Sequence, residues 1–268
     1  MIRHVGKIIA DTMVKILYPP VCPVCGKVQP QMLTDDGTGR ICEPCKKRVQ
    51  RVHSPFCMRC GKPLARIHAG VEYCEDCCRH RHSYTQGRAA FVYRSAMIGT
   101  MHRLKYNNRR DYAPVLAREA YGMYADWIRR IQPQVIVPVP LHPSRRRSRG
   151  YNQAELLARE LSRLSGIPMD TGLLIRVHNT DRQRTLSPQE RKNNLKNAFQ
   201  MTKKIVQLEK VLLIDDIYTT GSTADAAADA LHMVGIRDVY LLCICIGGEE
   251  QGGLEDGSKD MQVVRTTV

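Results

Sequence analysis

Between residues 89 and 246 the chain alternates short apolar runs with stretches in which apolar residues recur every three to four positions, the pattern of strands and helices in turn. Residues 89–93, 134–139, 173–177, 211–214 and 239–246 read as strands, and residues 95–106, 112–130, 152–164 and 222–234 as helices. Gly166-Ile167-Pro168 and Gly235 close the last two helices, and Ser187-Pro188 has the cap-then-proline signature of a helix running toward Leu195. Strands alternating with helices predict a parallel sheet with helices on both faces. Ahead of it, Val5, Ile8, Ile9, Thr12, Met13, Ile16 and Leu17 mark an amphipathic helix over residues 5–17, stopped by Tyr18-Pro19-Pro20. Cysteine-rich hairpins follow as far as Cys78. From Gly247 the chain is rich in Gly, Asp and Glu, and a mobile acidic tail is expected. The expected division is a helix and small cysteine-rich module over residues 1–82, an α/β domain over 83–246 and the tail over 247–268.

Composition changes this picture in two ways. The 268 residues carry 41 Lys and Arg against 26 Asp and Glu, for a net charge of +15, and 11 cysteines. The charge is uneven: residues 88–151 hold 13 basic against 3 acidic side chains and residues 176–204 hold 8 against 2, while residues 205–268 reverse the sign with 4 against 11. A polyanion would meet the basic parts, although a solvated basic surface is the plainer alternative. No apolar run approaches the roughly 18–20 residues that a spanning helix needs, and Lys7, Asp11 and Lys15 interrupt the start. A cytoplasmic protein without a membrane span is therefore expected. In a reducing compartment, paired cysteines are metal ligands sooner than disulfides.

Four C-x-x-C pairs fall within residues 22–77: Cys22 with Cys25, Cys42 with Cys45, Cys57 with Cys60, and Cys74 with Cys77. Two intervening residues let one tight turn aim both sulfurs at a metal about 2.3 Å away, and Gly26 and Gly61 supply the left-handed residue such knuckles use. Two structural zinc ions, each held by four cysteines, are predicted. Sequential pairing, with the first four cysteines on one ion and the last four on the other, is favoured over interleaving. Cys77 keeps the spacing that Cys78 would break. Cys243 and Cys245 sit in an apolar strand and read as core filler.

The stretch Val211-Leu212-Leu213-Ile214-Asp215-Asp216-Ile217-Tyr218-Thr219-Thr220-Gly221-Ser222-Thr223 carries the most chemistry. An apolar strand delivers two carboxylates, and a loop of hydroxyls and glycine leads into a helix whose first amides can cradle a phosphate. Adjacent carboxylates suit a pair of vicinal hydroxyls or a hydrated divalent cation. The segment resembles the 5-phosphoribosyl-1-pyrophosphate (PRPP) motif of type I phosphoribosyltransferases. By that resemblance Asp215 and Asp216 face the ribose hydroxyls as the catalytic pair, and Thr219, Thr220, Gly221, Ser222 and Thr223 wrap the 5′-phosphate. Val137-Pro138-Val139-Pro140 runs into a loop with Arg145, Arg146, Arg147 and Arg149, at the position of the pyrophosphate loop of these enzymes. Arg145 and Arg149 would neutralise pyrophosphate or reach a nucleic-acid backbone, and a solvated arginine loop is the alternative. Lys105 and Arg109 are further candidates for the departing pyrophosphate, though Lys105 sits on a helix where lysines mostly face solvent.

Taken in order, the cysteine pairs, Lys105-Tyr106 before Arg109-Arg110, the Pro-Val-Pro-Leu-His segment, Arg149-Gly150-Tyr151-Asn152-Gln153 and Asp215-Asp216 resemble the ComF family of competence-associated proteins. Arg176, Thr180, Gln183, Leu186, Arg191, Asn194 and Phe199 match it as well. The resemblance implies a type I phosphoribosyltransferase-like sheet behind a double zinc ribbon, PRPP or a related phosphorylated sugar with magnesium as ligand, and the handling of single-stranded DNA during uptake, with a helicase or recombination proteins as possible partners. Tyr84, Phe91, Tyr93, Tyr106, Tyr112 and Tyr151 are candidates to stack on bases, most of them being expected to pack. The competing reading is an active phosphoribosyltransferase with an unidentified nitrogen acceptor. Glutamine-dependent transfer is not expected, since residue 2 is Ile and the early cysteines are committed to pairs. His102, His142 and His178 are read as surface or packing residues.

Overall fold

Four parallel strands organise the chain in the computed structural model, which describes residues 19–29, 39–64, 70–177, 198–202 and 207–247. The predicted helices at 5–17 and after Ser187, together with His178, Thr180, Gln183, Leu186, Arg191, Asn194 and the tail from 248, lie outside the described residues. The sheet order is β1 (Gln86–Val92), β6 (Asp238–Ile246), β5 (Lys210–Tyr218), β2 (Val135–Pro138). Most positions of these strands are buried, as a sheet covered on both faces requires, with Asp215, Asp216 and Ile217 of β5 only partly so.

Alternate residues sort to opposite faces. Ile136, Leu212, Ile214, Leu242 and Ile244 pack with α3 (Ala96–Tyr106), α4 (Tyr112–Ile131) and α6 (Gln153–Ser165). Val135, Val137, Leu213, Leu241 and Cys243 face α7 (Ser222–His232). The helices end as the sequence predicts: Gly166 takes the left-handed conformation after α6 at φ 75°. Cys243 and Cys245 are core residues, and burial raises both thiols well above their ordinary range.

Three expectations need correction. The 173–177 strand does not join the sheet: β3 (Leu174–Arg176) pairs antiparallel with β4 (Phe199–Met201) as a separate hairpin. Its pattern explains this, because Leu174 and Arg176 are buried while Ile175 is exposed, and a strand with one wet face does not sit inside a covered parallel sheet. The arginine segment is not a loop but a short helix, α5 (Pro143–Arg149), with Pro143 in its first turn and His142 Nδ1 accepting from the Ser144 amide at 3.3 Å. Finally, β5 runs to Tyr218 instead of ending at Ile214, so both carboxylates stand within the strand.

The cysteine-rich segment contributes only α1 (Glu43–Lys46) and α2 (Glu75–Arg79) as regular structure among its described residues. Its described residues form no core separate from the sheet's. Cys22 and Cys45 belong to the core under α3 and α4, whereas Cys57, Cys60 and Cys74 belong to the core on the α7 side. The two halves of the module therefore bracket the sheet from opposite faces.

Candidate functional site

The cysteines converge in the sequential arrangement. The sulfurs of Cys22, Cys25, Cys42 and Cys45 all lie within 4.8 Å of one another, and so do those of Cys57, Cys60, Cys74 and Cys77. Cys25 Sγ to Cys42 Sγ is 3.8 Å and Cys60 Sγ to Cys74 Sγ is 3.6 Å. Four sulfurs about 2.3 Å from a tetrahedral zinc stand roughly 3.8 Å apart, so both donor sets fit the ion. Gly26 and Gly61 follow their knuckles at φ 73° and 80°. Cys78 is exposed and outside the second cluster. With four thiolates each, these sites leave no open position and act as staples.

At the carboxyl edge of the sheet a cleft of about 170 Å³ is lined by Lys105, Tyr106, Arg145, Arg149, Gln153, Arg176, Asp215, Asp216 and Thr223, with Val139, Pro140, Leu141, Asn152, Ala154 and Ile217. It brings together six of the expected site residues: Lys105, Arg145, Arg149, Asp215, Asp216 and Thr223. Thr219, Thr220 and Gly221 form the turn between β5 and α7 beside it and Ser222 opens the helix; none of the four is part of its lining. Lys105 faces inward: its Nζ is 3.1 Å from Asp216 Oδ2. The Asp216 amide donates to Asp215 Oδ1 at 2.7 Å. Burial, with the Asp216 charge adding to it, raises the Asp215 carboxyl to about 7, against the opposing pull of that amide, Lys105 and Arg176.

The turn has the geometry of an anion cradle. Gly221 is the N-cap of α7 at φ 80° and has no side chain to accept from the first helical amides. Thr220 Oγ1 and Ser222 Oγ lie 2.8 Å apart at its rim. A Cβ on Gly221 would stand 2.5 Å from Tyr218 Oη and 2.9 Å from His82 Cε1. Only glycine fits there.

The Arg149-Gly150-Tyr151-Asn152-Gln153 segment builds the opposite wall. Gly150 ends α5 at φ 79°, and the Tyr151 hydroxyl donates to the Leu104 carbonyl. Asn152 caps α6 by accepting from Ala154 N at 3.1 Å while its amide donates to Val139 O at 3.0 Å, which fixes the end of β2 to the helix. Gln153 is only 1% exposed; its Oε1 accepts from Arg149 Nη1 at 2.7 Å, and its Nε2 has no hydrogen-bond partner among the described residues. Gln153 and Arg176 were visible in the sequence only as members of the family pattern, and nothing in their spacing gave them a role.

A double zinc ribbon domain model matches residues 13–78. Competence protein F of Haemophilus influenzae is 33% identical over 206 residues, covering 75% of this chain and 88% of that protein. The chain belongs to the ComF family. DNA utilization protein YhgH of Escherichia coli strain K12, another relative, is 31% identical over 86% of this chain and 98% of its own length. Among solved structures, a purine phosphoribosyltransferase from Pyrococcus horikoshii matches at 13% identity with a TM-score of 0.34, covering 57% of this chain and 94% of that one. A likeness that loose carries no argument about the site.

Of the six aromatic candidates in this ComF-family chain, Tyr84, Phe91, Tyr112 and Tyr151 are core residues and Tyr93 is half-buried. Tyr106 alone of the six is open, at 65% exposed, with the Arg149 guanidinium 5.0 Å from its ring centre. Tyr106 also borders a second, shallower groove of about 490 Å³ lined by Lys105, Asn108, Arg110, Arg145, Arg147, Ser148, Arg149 and Gly150. No carboxylate is among these lining residues. His142 has a role after all, as the cap of α5. No described helix is long and apolar enough to cross a membrane.

Proposed function

We propose that this ComF-family protein binds PRPP in the cleft and holds single-stranded DNA along the adjoining basic groove, in the cytoplasm, during DNA uptake. The observation that carries the sugar-phosphate reading is the cleft's division of labour. Asp215 and Asp216 offer acceptors for vicinal hydroxyls on one wall, while Arg145 and Arg149 offer donors for phosphate oxygens on the other. The amides of α7 are at hand for a 5′-phosphate. Magnesium, arriving with the ligand, would supply charge neutralisation at the pyrophosphate. On this chain Lys105 orients the Asp216 carboxylate, and Arg149 is held in place by Gln153 and Tyr106.

The DNA reading is supported by the relatives' names, which link them to competence and DNA utilization, and by a groove that offers Arg110, Arg145 and Arg147 to phosphates beside one exposed ring for a base. Because Asp216 lies in the cleft and not in the groove, the two bindings can be separated. Titration of PRPP with magnesium and of single-stranded DNA against the parent and Asp216→Ala is the test. Loss of PRPP binding with DNA affinity retained is the expected result; PRPP binding unchanged by the substitution would refute the cleft assignment.

A second reading, active transfer to a nitrogen acceptor, is favoured by the intact Asp215, Asp216 and Lys105 constellation. The bond from ribose C1 to pyrophosphate would break as the acceptor nitrogen bonds to C1 and then loses its proton. Arg145, Arg149 and Lys105 would stabilise the leaving pyrophosphate. Pyrophosphate release from PRPP that requires an added acceptor would support it.

A further inference from the structure

The segment joining the second zinc ribbon to β1 lies along α7. His82, with 3% of its side chain exposed, sets Nδ1 2.9 Å from Asp225 Oδ2 and Nε2 3.4 Å from Tyr218 Oη. Its Nε2 is also 3.9 Å from Oδ2 of Asp76, which stands between the zinc ligands Cys74 and Cys77 in sequence. The Ser83 amide donates to Asp225 Oδ1 at 2.8 Å, and the Ser83 carbonyl lies 2.8 Å from His232 Nε2. Asp225 is in the first turn of α7 and His232 is its last residue. Seven residues apart, they share a helix face, so the Ser83 backbone is clamped between the two ends of the helix. The hydroxyl of Tyr84 meets that of Tyr218 at 2.7 Å, and burial keeps both phenols far above their ordinary range.

This cluster stands directly beneath Gly221, whose missing Cβ leaves the room that Tyr218 Oη and His82 Cε1 occupy. The first ribbon is anchored elsewhere. Its backbone carbonyls at Pro23 and Val24 are met by Thr100 and Arg103 of α3, on the other face of the sheet.

We propose that His82 and Asp225 are positioning residues that make the second zinc ribbon the support of the phosphate turn, so that metal loading at Cys57, Cys60, Cys74 and Cys77 sets the order of residues 219–225 and, through it, the affinity for a phosphate ester. The affinity half of this rests on the PRPP reading above; the ordering half does not. A turn held from below offers its amides in a fixed arrangement, whereas a loose one must be ordered by the ligand at a cost in affinity.

The test uses full-length, zinc-loaded protein. Amide hydrogen exchange over residues 219–225, zinc content and PRPP affinity with magnesium are measured for the parent, His82→Ala, Asp225→Ala, Asp225→Asn and Tyr218→Phe. The alanine variants are expected to retain two zinc ions, to exchange at least tenfold faster at 219–225 and to bind PRPP about tenfold more weakly. Asp225→Asn, which can still accept from the Ser83 amide, should fall between Asp225→Ala and the parent. Cys77→Ser should reproduce the faster exchange and Cys25→Ser should not. Should any of these variants fail to fold, Tyr218→Phe removes only the hydroxyl and is read alone. Unchanged exchange at 219–225 in folded His82→Ala or Tyr218→Phe overturns the proposal, as does equal loosening by Cys25→Ser and Cys77→Ser. A parent that does not bind PRPP overturns the function proposed above, and the exchange data still decide this one.

Discussion

The hydroxyl of Tyr218 occupies the space that a side chain on Gly221 would need, 2.5 Å from an ideal Cβ. The backbone there is left-handed, at φ 80°. Gly221→Ala therefore carries both a conformational cost of about 1–2 kcal/mol and a steric one. Its melting temperature is expected to fall by roughly 5 °C or more, and its PRPP affinity by more than tenfold, as read by thermal denaturation and calorimetric titration. A variant as stable as the parent would mean that the turn can shift away from Tyr218.

Asp215 makes stability depend on pH. Its carboxyl titrates near 7 in the folded chain, above the roughly 3.9 of an unfolded aspartate. The folded state therefore holds the proton more tightly, and the stabilisation this gives is full below about pH 4 and lost as pH rises through 7. Asp215→Asn should remove this dependence and be more stable than the parent at pH 8, with the difference shrinking toward pH 5. Denaturant melts at the two pH values decide it, and a variant less stable than the parent at pH 8 would contradict the burial account.

Lys105 and Asp216 are both largely buried and 3.1 Å apart. Removing the cation strands a carboxylate in the cleft, which is costly where water is scarce. Lys105→Met is expected to weaken PRPP binding at least tenfold and to leave the zinc content at two per chain. Equal affinity in parent and variant would leave Lys105 a structural partner of Asp216 with no part in ligand binding.

Arg110 and Arg147 line the groove but not the cleft. If each meets one phosphate, Arg110→Ala and Arg147→Ala should each reduce the magnitude of the slope of log K against log salt for single-stranded DNA by about 1. PRPP binding should be unaffected. A salt slope near zero in the parent would remove the electrostatic basis of the groove.

The alternation of strands and helices, the cysteine pairs and the glycine turn after β5 were legible because each is written in contiguous residues. What was not legible depends on neighbours far away in sequence. Lys105 reads as a surface lysine until β5 places Asp216 against the end of α3, and Gln153 is an ordinary helix-start glutamine until its oxygen holds Arg149 in the cleft wall. His82 reads as one more polar residue after a cysteine knuckle; its partners, Tyr218 and Asp225, come more than 130 residues later. The α5 helix was missed for a different reason. His142-Pro143-Ser144 carries the same cap-then-proline signal used at Ser187-Pro188, but four arginines in five residues read more readily as a solvated loop.

Because the cysteine-bearing segment shares its apolar interior with both sides of the sheet, the order of synthesis matters. The cysteines of the second ribbon are made before α7 and β6, with which Cys57, Cys60 and Cys74 share a core. Metal captured early would sit in knuckles still lacking their hydrophobic backing, and the second ribbon would settle into its final seat only when β6 is complete.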